Sequence, residues 1–230
     1  MNERQTTPQA EEVHSVDIPA GEATLDGDLR LPPQARGLVL FVHGSGSSRH
    51  SPRNQYVAQV IRAAGLGTLL FDLLTPEEER IDLRTPFLRF DMDLLAGRLE
   101  EVTAWVADTD ATRHLRLGYF GASTGGGAAL VAAARLGQGI GAVVSRGGRP
   151  DLAGALLPQV LAPTLLIVGG RDEVVLQLNE AAYAQLQCAK ALRIVPGATH
   201  LFEEPGALDE VARLATEWFQ QHLHPASKPT

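Results

Sequence analysis

A chain of 230 residues with 44% hydrophobic and 20% charged content is long enough, and apolar enough, to bury a core as a single α/β domain. No apolar run approaches the ~20 residues that cross a bilayer, and Met1 to Glu12 has neither the basic nor the apolar region of a signal peptide, so a cytoplasmic protein without a membrane role is expected. The formal net charge of −7 argues against a nucleic-acid or anionic-membrane partner, because either needs a basic face.

Residues 1–12 read as a disordered polar tail, 13–224 as one catalytic domain and 225–230 as a frayed end. Val13 to Ile18 and Ala23 to Leu31 alternate around Pro19-Ala20-Gly21-Glu22, which predicts an antiparallel hairpin. Gly37 to Val42 is a continuous apolar run, the pattern of a strand covered on both faces, and it ends in the flexible loop His43-Gly44-Ser45-Gly46-Ser47-Ser48. Val57, Val60, Ile61 and Ala64 follow at helical spacing. After the strand Thr68 to Phe71, Asp72 opens a charged connection reaching Phe90, longer than the usual ~4–6 residues. It reads equally as a surface excursion with a short helix and as a rim that touches substrate.

Leu95, Leu99, Val102 and Val106 form a helical stripe leading to the run Leu115 to Phe120. Beyond it, Ile140 to Ser145 is a short strand, its exit loop runs from Arg146 to Pro150, and Asp151 is placed to cap a brief helix. Thr164 to Val168 is another buried strand, a helix is predicted from about Asn179 to Ala189, and Leu192 to Val195 is the last strand. Cys188, the lone cysteine, falls in that helical pattern as a small buried residue. The final helix carries Leu208, Val211, Ala215 and Trp218. Strands alternating with helices predict a doubly wound, mostly parallel sheet with an antiparallel N-terminal edge. Such sheets place chemistry beyond the carboxyl ends of their strands, where the polar clusters at His43 to Ser48, Asp72, Ser123, Arg146, Asp172 and His200 all fall.

Gly121-Ala122-Ser123-Thr124-Gly125 stands between an apolar run and a small-residue stretch, a strand, a turn and a helix. Glycines two places either side of Ser123 remove the side chains that a sharp turn could not hold, and the hydroxyl is pushed outward. Gly125, Gly126 and Gly127 in a first helical turn would each cost roughly 0.8–1 kcal/mol against alanine, which close packing beneath a raised nucleophile explains. A serine hydroxyl needs a base, and the base a carboxylate to orient it. Ser123, Asp172 and His200 appear in the order of an α/β-hydrolase triad.

On these residues, and on the segments HGSGSSRHSPRN, FDLLTPEEE, GYFGASTGGGAAL, VSRGGRPDLA, LLIVGGRD and VPGATHLFEEP, the chain from Val13 to Leu223 resembles the α/β-hydrolase superfamily, in its dienelactone hydrolase-like branch. The resemblance implies a nucleophile at Ser123, a base at His200 and an acid at Asp172 in preference to Glu173. It also implies oxyanion donors from the backbone N–H groups of Thr124 and Ser45. His43 would brace the oxyanion loop, His50 would be loop surface or rim, and His14, His114, His222 and His224 would be solvated or structural. Dienelactone hydrolases proper use a cysteine where this chain has Ser123. A serine there implies a hydrolase of small carboxylic esters or lactones that works through an acyl-enzyme. An acyltransferase or peptidase on the same triad, and a non-catalytic ligand-binding module on the same fold, are the alternatives. No long insertion separates Ser145 from Thr164, so an open cleft without a large lid is expected. No nucleotide-binding glycine pattern and no metal-ligand spacing is present, so neither cofactor nor metal is expected. Arg146, Arg49 and Arg53 could face the cleft and orient an anionic ester, or could fasten loops through Asp151 or Glu77 to Glu79.

Overall fold

The computed structural model describes residues 13–223, and the two expected tails, with His224, lie outside the described residues. Eight strands form one sheet: β1 His14–Ala20, β2 Ala23–Arg30, β3 Gly37–Val42, β4 Gly67–Phe71, β5 Arg116–Ala122, β6 Ala142–Arg146, β7 Thr164–Gly169 and β8 Lys190–Val195. Their spatial order is β1-β2-β4-β3-β5-β6-β7-β8. The expected hairpin is present, with Gly21 turning the chain at φ 59°, and β2 pairs antiparallel to β4 while every other neighbouring pair from β4 to β8 is parallel.

Among the described residues there are six α-helices, α1 Pro52–Ala63, α2 Pro76–Asp82, α3 Met92–Asp108, α4 Thr124–Leu136, α5 Glu173–Gln185 and α6 Ala207–His222, of which all but α2 cover the two faces. Because side chains alternate along a strand, β3 sends Leu38, Leu40 and Val42 to one layer and Val39 and Phe41 to the other. The first layer packs against α3, α4 and α5 through residues such as Leu99, Leu130 and Ala182, and the second against α1 and α6 through Ile61, Val211 and Phe219. All residues of β3, β4 and β7 are buried, which is why those segments read as unbroken apolar runs. No helix among the described residues is long and apolar enough to cross a membrane.

Three local expectations are corrected. Helix α5 starts at Glu173, six residues before the expected Asn179, and ends at Gln185. The run Val174-Val175 disguises its first turn, since β-branched residues lower helix propensity, yet Val175, Asn179 and Ala182 form its buried stripe. Cys188 therefore lies beyond the helix, half-buried, in the connection to β8. Asp151 caps nothing: its carboxylate takes the Arg149 guanidinium at 2.8 and 2.7 Å, while Pro150–Gln159 winds as a 3-10 segment broken at Gly154, φ 47°.

Between β4 and α3 the long connection contains a short helix and a rim at once. Thr75 and Glu78 cap α2 reciprocally, Glu78 accepting Thr75 N–H at 2.8 Å and Thr75 Oγ1 accepting Glu78 N–H at 3.2 Å. Asp82 at its end is 1% exposed, and its Oδ1 accepts the N–H groups of Phe87 and Leu88, each at 2.7 Å. Its Oδ2 accepts Arg89 Nε–H. Burial works to raise the Asp82 pKa, but the Arg89 and backbone bonds to its charged form outweigh it and hold the carboxyl below the ordinary value.

Candidate active site

Strand β5 passes directly into α4 at Ser123, which takes φ 51° and ψ −123°, a region that L-residues seldom occupy. The turn is forced by contact rather than by preference. A Cβ on Gly125 would lie 2.2 Å from Val42 O and 2.5 Å from His43 O, and one on Gly121 would lie 2.6 Å from Gly125 O. Beside it in the same turn, a Cβ on Gly126 would meet Ser145 Oγ at 2.6 Å, and one on Gly127 would meet Arg149 O at 2.8 Å. Helix α4 is thus pressed onto the ends of β3 and β6, and the Ser123 hydroxyl is left projecting from the edge.

Two later loops meet it. Asp172 follows β7 and His200 follows β8, and their backbones are tied where Arg171 N–H donates to Ala198 O at 2.9 Å. His200 Nδ1 lies 2.6 Å from Asp172 Oδ2, and His200 Nε2 lies 3.3 Å from Ser123 Oγ. A proton on Nδ1, held by the carboxylate, leaves Nε2 as the acceptor for the serine O–H. Asp172 stands at the N-terminus of α5 without capping it, because its carboxylate is spent on the imidazole.

The first strand's exit loop supplies the opposite wall. Ser45 N–H donates to Thr124 Oγ1 at 2.8 Å, so the two residues expected to serve an oxyanion are in contact, with one donor occupied in the resting site. Thr124 opens α4, where a backbone N–H has no acceptor within its own helix. His43 is the brace expected of it: Nε2 accepts Leu73 N–H at 3.0 Å and Nδ1–H donates to Gly44 O at 2.9 Å. Burial pushes its pKa below 6.5 and keeps it neutral, against opposing contributions from Gly44, Asp72 and Glu79. Beside this loop, a cleft is lined by Ser45, Gly46, Asp72, Leu74, Arg89 and Thr124 among others. Arg89 and its anchor Asp82 were not legible in the sequence, because nothing in the spacing of a surface loop shows which carboxylate folds inward.

The three arginines expected near the cleft go to different places. Arg49 pairs with Asp72, and its Nη1 lies 3.4 Å from Asp26 Oδ2, so it fastens β2 to the β4 exit. Arg53 pairs with Glu203 at 3.1 Å. Arg146 is 6% exposed, donates from Nη2 to Asn54 Oδ1 at 3.4 Å, and lies over the Phe202 ring at 5.8 Å from its centroid. Its partners are not the Asp151 or Glu77 to Glu79 carboxylates weighed from the sequence. Burial, with the charge of Arg53 adding to it, pushes the Arg146 pKa down to about 10. Asn54, Phe202 and Asn179 were also missed. Only Asn179 carried a signal, as a polar residue on the apolar stripe of α5, where it donates to Gly148 O at 3.0 Å.

The family model described as the dienelactone hydrolase family matches residues 62–224. The chain belongs to the dienelactone hydrolase family. A dienelactone hydrolase from Anabaena variabilis is 61% identical over 93% of this chain and 99% of its own, with a TM-score of 0.92. Two proteins of Mycobacterium tuberculosis, provisionally named phosphoribosyl transferases, are 60% identical over 208 residues, 90% of this chain and 46% of theirs. The chain therefore spans about half the length of the curated relatives it matches. Est1E from Butyrivibrio proteoclasticus shares the fold at 16% identity and a TM-score of 0.76, over 90% of this chain and 98% of its own. Family and fold are those of hydrolases, and this dienelactone hydrolase-family chain carries serine at the strained turn.

Proposed function

We propose that the chain is a serine hydrolase of small carboxylic esters or lactones, working through an acyl-enzyme. The observation that carries this reading is the single line from Asp172 Oδ2 through the His200 ring to Ser123 Oγ, with spacings of 2.6 and 3.3 Å. Ser123 Oγ attacks the ester carbonyl carbon as His200 Nε2 takes its proton. The oxyanion that forms is met by the N–H groups of Thr124 and Ser45, the latter released as substrate displaces the Thr124 hydroxyl. The tetrahedral carbon then loses the alcohol, which receives the proton from His200, and water reverses the sequence to free the acid. Asp172 holds Nδ1–H throughout and steadies the imidazolium. The transferase name belongs to relatives twice as long, and its activity is not carried over to this chain.

A fluorophosphonate probe tests the assignment together with turnover of aryl acetates. Wild type should be labelled at Ser123 alone, and Ser123→Ala should lose labelling and, by analogy with removal of a protease nucleophile, on the order of 10⁶-fold in kcat. Labelling that persists in the alanine variant would refute the assignment. Added alcohols separate hydrolysis from acyl transfer: free acid as the dominant product is the expected result.

A further inference from the structure

Arg146 is a buried charge beside the site that the proposed chemistry leaves unused. Its guanidinium carries five N–H donors, yet it is 6% exposed and its only hydrogen bond is the 3.4 Å contact to a neutral amide, Asn54 Oδ1. Nε is buried without a partner, and no carboxylate among the described residues lies within ion-pair reach of it. A buried cation without a counter-ion is costly, and proteins retain one where a ligand supplies the missing charge. The surroundings are also positive. Arg53, on the first turn of the same helix as Asn54, raises the local charge, and its own Nε is buried and unpartnered. Helix α1 runs for 12 residues from this point with no acidic residue in its first turn, so its positive end is uncompensated. Pro52 has no N–H and Ser51 Oγ takes that of Asn54, which leaves the N–H of Arg53 as the donor of that turn. The carboxylate paired with Arg53 is that of Glu203, 64% exposed, in a surface pair that an incoming anion can replace.

We infer that Arg146, Arg53 and the N-terminus of α1 form a site for a phosphate dianion carried on the alcohol part of the substrate. Two guanidiniums and a helix end match two negative charges, where a single carboxylate would leave one cation unpaired. Location gives the side. Ser123 N–H donates to Arg146 O at 3.2 Å, so the backbone of Arg146, at the end of β6, adjoins that of the nucleophile. Phe202, which Arg146 stacks on, is two residues from His200, and His200 delivers the proton to the departing alcohol. The substrate is then an acyl ester of a phosphorylated alcohol, so the reaction that supplies it acylates a phosphorylated alcohol. This substrate class rests on the esterase reading, but the phosphate site can be tested without it.

Binding of phenyl phosphate to the Ser123→Ala protein, measured by calorimetry, asks about the site alone. Binding that weakens roughly tenfold or more when Arg53→Gln is added supports the site, the factor expected for one charge-assisted hydrogen bond. Arg53 is a third exposed, so that variant should fold, and Arg146→Gln should weaken binding further where it folds. No binding, or binding indifferent to both arginines, would overturn the site and leave the serine chemistry standing. On active enzyme, 2-phosphoethyl acetate should exceed 2-hydroxyethyl acetate in kcat/KM by tenfold or more, and Arg53→Gln should abolish the difference. An equal preference for a carboxylate-bearing acetate would overturn the dianion assignment, and failure of every ester with phosphate binding intact would count against the esterase reading alone.

Discussion

The turn at Ser123, whose next residue Thr124 lines the cleft, and the connection from Asp72 to Asp91, which lines it through Asp72, Asp82 and Arg89, are held by opposite means. At Ser123 the backbone has nowhere else to go: Gly121, Gly125, Gly126 and Gly127 admit no Cβ, and carbonyls and strand ends close on them from each side. Across the cleft, Ile81, Leu83, Phe87 and Phe90 stand more than half exposed, and order comes from a few charges, chiefly Asp82 with Arg89 and Glu78 with Arg98. Steric closure fixes atoms to tenths of an ångström, because repulsion is steep. Ion pairs at a rim hold a loop in place while leaving it free to yield. On the proposed reading the nucleophile sits on the first kind of structure and the cleft's rim is the second, an arrangement by which one fold can keep its chemistry while its specificity varies.

Five changes would break or sharpen that contrast. Asp172→Asn should act on chemistry alone. The amide favours the wrong imidazole tautomer, so kcat should fall by about 10⁴ with little change in melting temperature. Retained kcat would point to Glu173 or another carboxylate. Gly125→Ala should instead remove stability and activity together, by about 3 kcal/mol or more, since its Cβ would sit 2.2 Å from Val42 O. Gly97→Ala is its control: with nothing within 4 Å of the new Cβ inside α3, it should gain about 0.5–1 kcal/mol in thermal or denaturant melts.

On the other side of the cleft, Asp82→Ala should loosen the rim without unfolding the domain. Limited proteolysis should cut between residues 82 and 91 faster than in wild type, with the melting temperature little changed, and a large drop in melting temperature would place the rim in the core instead. The smallest effect is on pH. Burial lowers the His43 pKa below its unfolded value of 6.5, so the unfolded chain binds the extra proton first as acid is added. Stability from this source is complete above pH 6.5 and declines as pH falls toward the folded pKa. Between pH 7 and 5 the melting temperature should drop, and it should drop less in His43→Gln. His222, also lowered by its burial and by Arg116, contributes with the same sign and leaves a residual slope.

How far the site was legible depended on whether its chemistry is written in neighbouring residues. The glycines around Ser123 are contiguous, and the loops after β7 and β8 end in Asp172 and His200, so chain order and strand ends were enough to assemble the three. The start of α5 was hidden because Val174 and Val175 resemble a strand, and only packing against β7 and the loop at Gly148 overrides that preference. Arg146 shows the same limit in a side chain. Its place at the end of β6 was readable, but that it turns inward onto Asn54 and Phe202 rather than outward was not.

Sequence alone determined the alternation of strands and helices, the antiparallel edge, and the family to which the glycine-flanked serine belongs, because each depends on local pattern and on chain order. Tertiary structure alone decided the pairings: Ser45 N–H on Thr124, Arg49 on Asp72, Asp82 turned inward beneath the rim, and Arg146 left without a counter-ion among the described residues. Those choices join residues 5 to 92 positions apart, and which partner wins depends on distances and desolvation that exist only once the sheet has brought the loops to one edge.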